Sequence, residues 1–315
     1  MTRRSILVYH PEPGEAQAYA RLIKQPKPPF AVAACSTPSE TLPHIGDAEI
    51  LYAWNFPREL LPLAAKLRWV QNMGAGVERA MLPELPRRVR VTRVAGIFGP
   101  WMAEYALGWC LWLTQRTELF RAQQRERRWR QADPLRLHGA TLCVVGLGDI
   151  GRTIARAARG FGMRVVGVSR SGRKAPEAER VYRTREIRNA IAGADFVALT
   201  VPLTEATRGL IGAAELAAMK PSAWLINIAR GPVVDETALV DALRTHRLGG
   251  AVLDVFDEEP LPRGHPLWEL DNVVITPHIS GPSTPGKIAP IFNDNLRRYV
   301  AGRALRYEVD RRRGY

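Results

Sequence analysis

The sequence predicts an α/β protein of two doubly wound parallel-sheet domains, one inserted in the other, and three observations lead there. Short apolar runs alternate with helical or proline-rich stretches along most of the chain. A glycine-rich turn, GLGDIG (146–151), sits near the start of a second alternating set. An amphipathic tail, IAPIFNDNLRRYVAGRAL (288–305), offers a helix that can return to the first set. At 315 residues the chain is long enough to bury two separate cores.

The first set opens with the strand SILVYH (5–10). Further runs follow at FAVAAC (30–35), EILYAW (49–54), LRWVQN (67–72) and VRVTRV (89–94). The stretch from Gly99 to Trp129 then reads as one long helix, with Pro100 suited to its first turn. The second set has strands at TLCVVG (141–146), RVVGVS (164–169), DFVALT (195–200), AWLINI (223–228), GGAVLDVF (249–256) and VVITP (273–277). Helical patterns lie between them at 151–161, 185–192, 213–219 and 235–245.

Composition excludes several classes. No apolar run approaches the roughly 20 residues that span a bilayer, so no membrane role is expected. The basic start is followed by only a short apolar run, too short for a signal peptide. Cys35, Cys110 and Cys143 match neither a disulfide framework nor a metal site, which predicts a reduced cytoplasmic setting and no bound metal. Lysine and arginine number 45 against 31 acidic residues, a net charge of +14. Those cations lack an aromatic-interleaved RNA motif, a zinc-finger spacing or a basic tail, so they predict a solvated arginine-rich surface first, an attraction for anionic substrates second, and no nucleic-acid partner.

GLGDIG lies between a strand and a helix, and a second strand ends about twenty residues later, as a dinucleotide-binding unit requires. Gly146 would allow the tight turn, Gly148 the approach of a pyrophosphate, and Gly151 the packing of helix on strand. The end of that second strand normally carries an acid for the ribose 2′-hydroxyl. Here it reads VSRSGRK, with Ser169, Arg170, Arg173 and Lys174 in its place. A hydroxyl and planar guanidinium forks suit a 2′-phosphate, so NADP(H) is the expected cofactor, with NAD(H) possible.

Three later segments each place one reactive side chain just past a strand: Arg230 after INIA, Glu259 after DVFDE, and His278 after VVITP. The carboxyl edge is where open α/β sheets bind ligands.

With these segments in place, the chain resembles the D-isomer-specific 2-hydroxyacid dehydrogenases. GLGDIG, VPLTEATRGLI, MKPSAWLINIARGPVVDETALVDAL, LDVFDEEPLP and TPHISG carry the resemblance, and MGAGVE and MAEYALG extend it towards the N-terminus. AWNFP, QNMGAGVE, FGPWMAEYALGW and VSRSGRK look most like the glyoxylate/hydroxypyruvate reductase branch. The resemblance implies a Rossmann dinucleotide-binding domain, 98–284, inserted in a flavodoxin-like substrate domain, 1–97 and 285–315. It implies reduction of a small 2-oxo acid to the D-2-hydroxy acid. Arg230 would bind the carboxylate and carbonyl, and His278 would donate the proton, its charged form favoured by Glu259. Trp54 would wall the substrate, and Ala75 and Gly76 would offer it backbone N–H groups. Gly146, Gly148, Asp149, Ile150, Gly151, Val201, Pro202 and Ala229 would contact the dinucleotide, and Asp254 the nicotinamide carboxamide. The segment around Trp129 would wrap a second subunit, giving a homodimer. Phosphoglycerate-, formate- and phosphite-type substrates, and a dinucleotide-sensing corepressor, are the alternative readings.

Overall fold

The computed structural model describes residues 4–78, 80–81 and 85–314. The chain forms two compact units: the described residues of Met1–Ile97 with Ser283–Tyr315, and Phe98–Pro282.

In the first unit, strands β1 (Ser5–Tyr9), β2 (Ala31–Cys35), β3 (Ile50–Ala53), β4 (Trp69–Asn72) and β5 (Arg90–Thr92) form one sheet in the order β2-β1-β3-β4-β5. All pairs are parallel. This is the flavodoxin-like order, whose topological switch falls between β1 and β3. The central strands are apolar on both faces, as buried parallel strands must be: Ile6, Leu7, Val8, Ile50, Leu51 and Tyr52 are all essentially inaccessible. Helix α1 (Glu15–Arg21) follows β1. Helix α2 (Pro38–Ile45) starts at Thr37, whose hydroxyl accepts the Glu40 N–H.

The second unit begins with α3 (Gly99–Thr114) and α4 (Thr117–Arg125). The single helix expected over 99–129 is therefore broken. Arg116 adopts a left-handed conformation (φ 51°), and the Thr114 carbonyl accepts the N–H of Leu135 instead of continuing the helix. There follow β6 (Thr141–Val145), α5 (Asp149–Gly160), β7 (Arg164–Ser169), β8 (Arg180–Arg183), α6 (Ile187–Ile191), β9 (Phe196–Leu199), α7 (Ala213–Ala218), β10 (Trp224–Asn227), α8 (Glu236–Arg244), β11 (Gly250–Leu253) and β12 (Val273–Ile275). Their sheet runs β12-β11-β10-β9-β6-β7-β8, again all parallel. Counted from β6 this is the Rossmann order extended by one strand, with the switch between β6 and β9. Strand β8 is an edge strand missing from the sequence reading.

The last helix, α9 (Pro285–Val300), belongs to the first unit and ends five residues earlier than the tail pattern predicts. Phe292 is fully buried in its middle, stacked on Tyr52 at 4.1 Å and on Trp69 at 5.3 Å. These rings fix the helix on the sheet.

Candidate active site

In the second unit, three turns leave the carboxyl edge of the sheet and carry Arg230, Glu259 and His278. The first is set by Asn227 at the end of β10. Its side-chain amide donates to the Arg230 carbonyl (3.1 Å), and its oxygen accepts the Ala229 N–H (3.1 Å). Gly231 then lets this turn lie against the backbone of Phe256 and Asp257, where an added Cβ would collide. That close approach brings the Arg230 turn beside the loop holding Glu259.

Glu259 and His278 meet directly, with Oε2 2.8 Å from Nδ1. The other oxygen, Oε1, accepts the Phe256 N–H at 3.0 Å. Burial pushes the Glu259 carboxyl up. The hydrogen bond from His278, that from Phe256 and the nearby Arg230 charge outweigh it and hold the group below the usual glutamate range. An ionised carboxylate only accepts, so Nδ1 of His278 carries the hydrogen and Nε2 is left as the working nitrogen. His278 itself lies in the left-handed region, with φ 53°. The structure thus brings the three predicted side chains into one electrostatic cluster.

Asp254 has a further role that sequence reasoning missed. It is fully buried, and its Oδ1 accepts the Thr276 hydroxyl (2.6 Å) and the Ile279 N–H (2.8 Å). Its Oδ2 accepts the Ser280 N–H at 2.9 Å. All of these partners flank His278. The visible signal was a buried polar residue inside the apolar run AVLDVF.

Further along the same sheet edge, Gly146 (φ 109°) turns the chain from β6 into α5. A side chain on Gly151 would strike the Gly146 carbonyl, and Thr200 bonds that carbonyl at 2.7 Å. Gly148 differs: a Cβ there would meet nothing within 4 Å. Open space before the first turn of α5, which holds Asp149 and Ile150, fits a pyrophosphate on a helix N-terminus. Val201 and Pro202 follow Thr200 directly. At the end of β7, the Ser169 hydroxyl accepts the Gly172 N–H (3.1 Å) and keeps its own hydrogen for another acceptor. Arg170, Arg173 and Lys174 are exposed, and no acidic side chain among the described residues pairs with them. Three unneutralised cations round a turn fit the added charge of a 2′-phosphate.

In the first unit, Asn72 ties the loop after β4 by donating to the carbonyls of Gly74 (3.0 Å) and Gly76 (2.6 Å). Among the described residues no acceptor takes the N–H of Ala75 or Gly76. The Trp54 ring lies against Gly74, and it also lines a recess of about 320 Å³ with His10, Glu12, Glu15, Tyr19 and Ser283–Pro285. Trp129, by contrast, is 96% exposed and packs on almost nothing of its own chain.

A family model described as D-isomer specific 2-hydroxyacid dehydrogenase, NAD binding domain, matches residues 107–280. A glyoxylate/hydroxypyruvate reductase A of Photorhabdus laumondii is 31% identical over 85% of this chain and 88% of its own. A D-isomer specific 2-hydroxyacid dehydrogenase from Xanthobacter autotrophicus Py2, solved with NADPH and MES, is 32% identical with a TM-score of 0.89, over 99% of this chain and 100% of that one. An NADPH-dependent glyoxylate/hydroxypyruvate reductase of Sinorhizobium meliloti, solved with NADP and sulfate, is 26% identical with a TM-score of 0.91 over the same shares. The protein belongs to the D-isomer-specific 2-hydroxyacid dehydrogenase family.

Proposed function

We propose that this NAD(P)-dependent oxidoreductase uses NADPH to reduce a small 2-oxo acid, glyoxylate or hydroxypyruvate, to the D-2-hydroxy acid. The observation that carries the reading is the 2.8 Å Glu259–His278 pair beside Arg230. Arg230 presents a planar fork to the substrate carboxylate and carbonyl oxygen, polarising the latter. His278 Nε2 delivers a proton to that oxygen, while Glu259 accepts the Nδ1 hydrogen and holds the ring in place. In the oxidative direction the same nitrogen takes the proton back.

The turn of Gly146, Gly148, Asp149, Ile150 and Gly151, with Val201, Pro202 and Ala229, would hold the dinucleotide, whose nicotinamide supplies the hydride. Ser169, Arg170 and Arg173 would take its 2′-phosphate, and Asp254 would serve the nicotinamide carboxamide besides the His278 loop. We assign Trp54 as a wall of the substrate and the Ala75 and Gly76 N–H groups as donors to its carboxylate. The near-complete exposure of Trp129 supports a homodimer in which the arm after α4 covers a second copy. Three free, buried cysteines accord with a cytoplasmic setting. A substrate panel, followed by loss of nicotinamide absorbance, tests the reading. Glyoxylate and hydroxypyruvate should oxidise NADPH faster than NADH, and failure with every 2-oxo acid would overturn it.

A further inference from the structure

The His278 loop is tied to helix α3 by a chain of hydrogen bonds through Asp254 whose outer members, Tyr105 and Thr276, have no part in the proposed reaction. Tyr105, on α3, places its hydroxyl 2.6 Å from the Thr276 Oγ1. Thr276 in turn donates to Asp254 Oδ1 at 2.6 Å. A threonine hydroxyl has one hydrogen, and here Asp254 receives it, so Tyr105 must be the donor to Thr276. The direction of the chain is therefore fixed: Tyr105 to Thr276 to Asp254. Burial pushes the Tyr105 phenol up to about 12, which keeps it a donor at any working pH.

The other partners of Asp254 explain what such a chain is for. Its two oxygens accept the N–H groups of Ile279 and Ser280, the two residues after His278. The His278 N–H donates to the Thr276 carbonyl at 3.0 Å, so the histidine is tied on both sides. Between those ties its backbone has a φ of 53°, the left-handed region that a residue with a β-carbon rarely adopts. Strain of that kind persists only where neighbours over-determine it. Release of the ties would let the backbone relax and turn the ring away from Glu259.

We infer that Tyr105, Thr276 and Asp254 form a positioning brace that holds His278 in its left-handed conformation and so keeps its imidazole on Glu259. The inference rests on the reading of His278 as the proton donor. Tyr105 and Thr276 are positioning residues: they act on the reaction through the backbone that carries the histidine.

The test uses the full chain and substitutions that change little volume. Thr276→Val removes the hydroxyl, Thr276→Ser restores it, and Tyr105→Phe removes only the outer donor. Loss of ring placement by a fraction of an ångström to one ångström predicts a fall in kcat of about 10- to 100-fold for Thr276→Val. Thr276→Ser should stay within about threefold of the parent, and Tyr105→Phe should fall between the two, as loss of one outer hydrogen bond warrants. KM for NADPH should not change with any of them. In the Thr276→Val/Glu259→Gln double variant, the losses should be far less than multiplicative, because both act through one contact.

Multiplicative losses, an unchanged kcat in Thr276→Val, or a loss confined to KM for NADPH would each overturn the brace. If Thr276→Val fails to fold, Tyr105→Phe with the same double-variant comparison decides. His278→Ala, measured alongside, separates the two claims. Wild-type activity there removes the proton-donor reading itself. A collapse there with an unaffected Thr276→Val removes only the brace.

Discussion

Replacing Arg170 and Arg173 together by alanine should convert the protein from an NADPH enzyme into one nearly indifferent to the 2′-phosphate. Both guanidinium groups are exposed, and neither pairs with an acid among the described residues. The double substitution therefore breaks no internal ion pair, and the whole loss falls on the ligand. A charge-assisted bond to phosphate is worth about 1.5–3 kcal/mol, and exposure and salt place these two at the lower end. At about 1.4 kcal/mol per tenfold, the pair accounts for about a 100-fold fall in kcat/KM for NADPH. NADH, which lacks the phosphate, should lose less than about threefold on the same reasoning. The assay is steady-state kinetics with each cofactor at two ionic strengths, and the parent's NADPH preference should shrink at high salt. Equal losses for both cofactors would refute the phosphate site and return these arginines to the general basic surface.

Glu259 lies below the ordinary glutamate range in the folded chain, so its stabilising contribution is complete above that range and fades only as pH falls through the lowered value. The acid limb of activity should accordingly extend below the ordinary glutamate range, and Glu259→Gln should remove that limb; an acid limb unmoved by the substitution would detach Glu259 from the proton transfer. Phe292→Ala removes a fully buried ring stacked on Tyr52 and should lower the stability of the first unit by about 3–5 kcal/mol. Urea unfolding reads this directly, and a loss under about 1 kcal/mol would contradict the packing. If the arm after α4 covers a second copy, the protein should sediment as a dimer at micromolar concentration and Trp129→Ser should weaken it. A fully active monomer would refute that arrangement.

Much of this was legible in the chain. Parallel strands buried on both faces must be written as apolar runs, so Ile6–Val8, Cys143–Val145 and Leu225–Ile226 announce themselves. Arg230, Glu259 and His278 stand at or shortly past the ends of such runs, which made them visible as candidates in the sequence. Strand β8 was hidden because an edge strand pairs on one side only, and in RVYR exposed arginines flank just two half-buried residues, too short for an apolar run. The break at Arg116 was hidden because its cause lies in the Leu135 N–H, far along the chain. The ties on His278 were illegible for a related reason. Asn227, Asp254 and Thr276 read as polar interruptions of strands, and only the folded backbone reveals which N–H and carbonyl groups they satisfy.

The central claim is that His278 supplies the proton, and His278→Ala tests it most directly. NADPH binding, followed by nicotinamide fluorescence, should be little changed, because the residues proposed for its phosphates and ribose lie elsewhere on the unit. The kcat for glyoxylate or hydroxypyruvate should fall by about 10²- to 10⁴-fold, the usual contribution of a positioned acid. Reduction of either substrate at the parent rate would mean that the proton comes from another group and would contradict the mechanism.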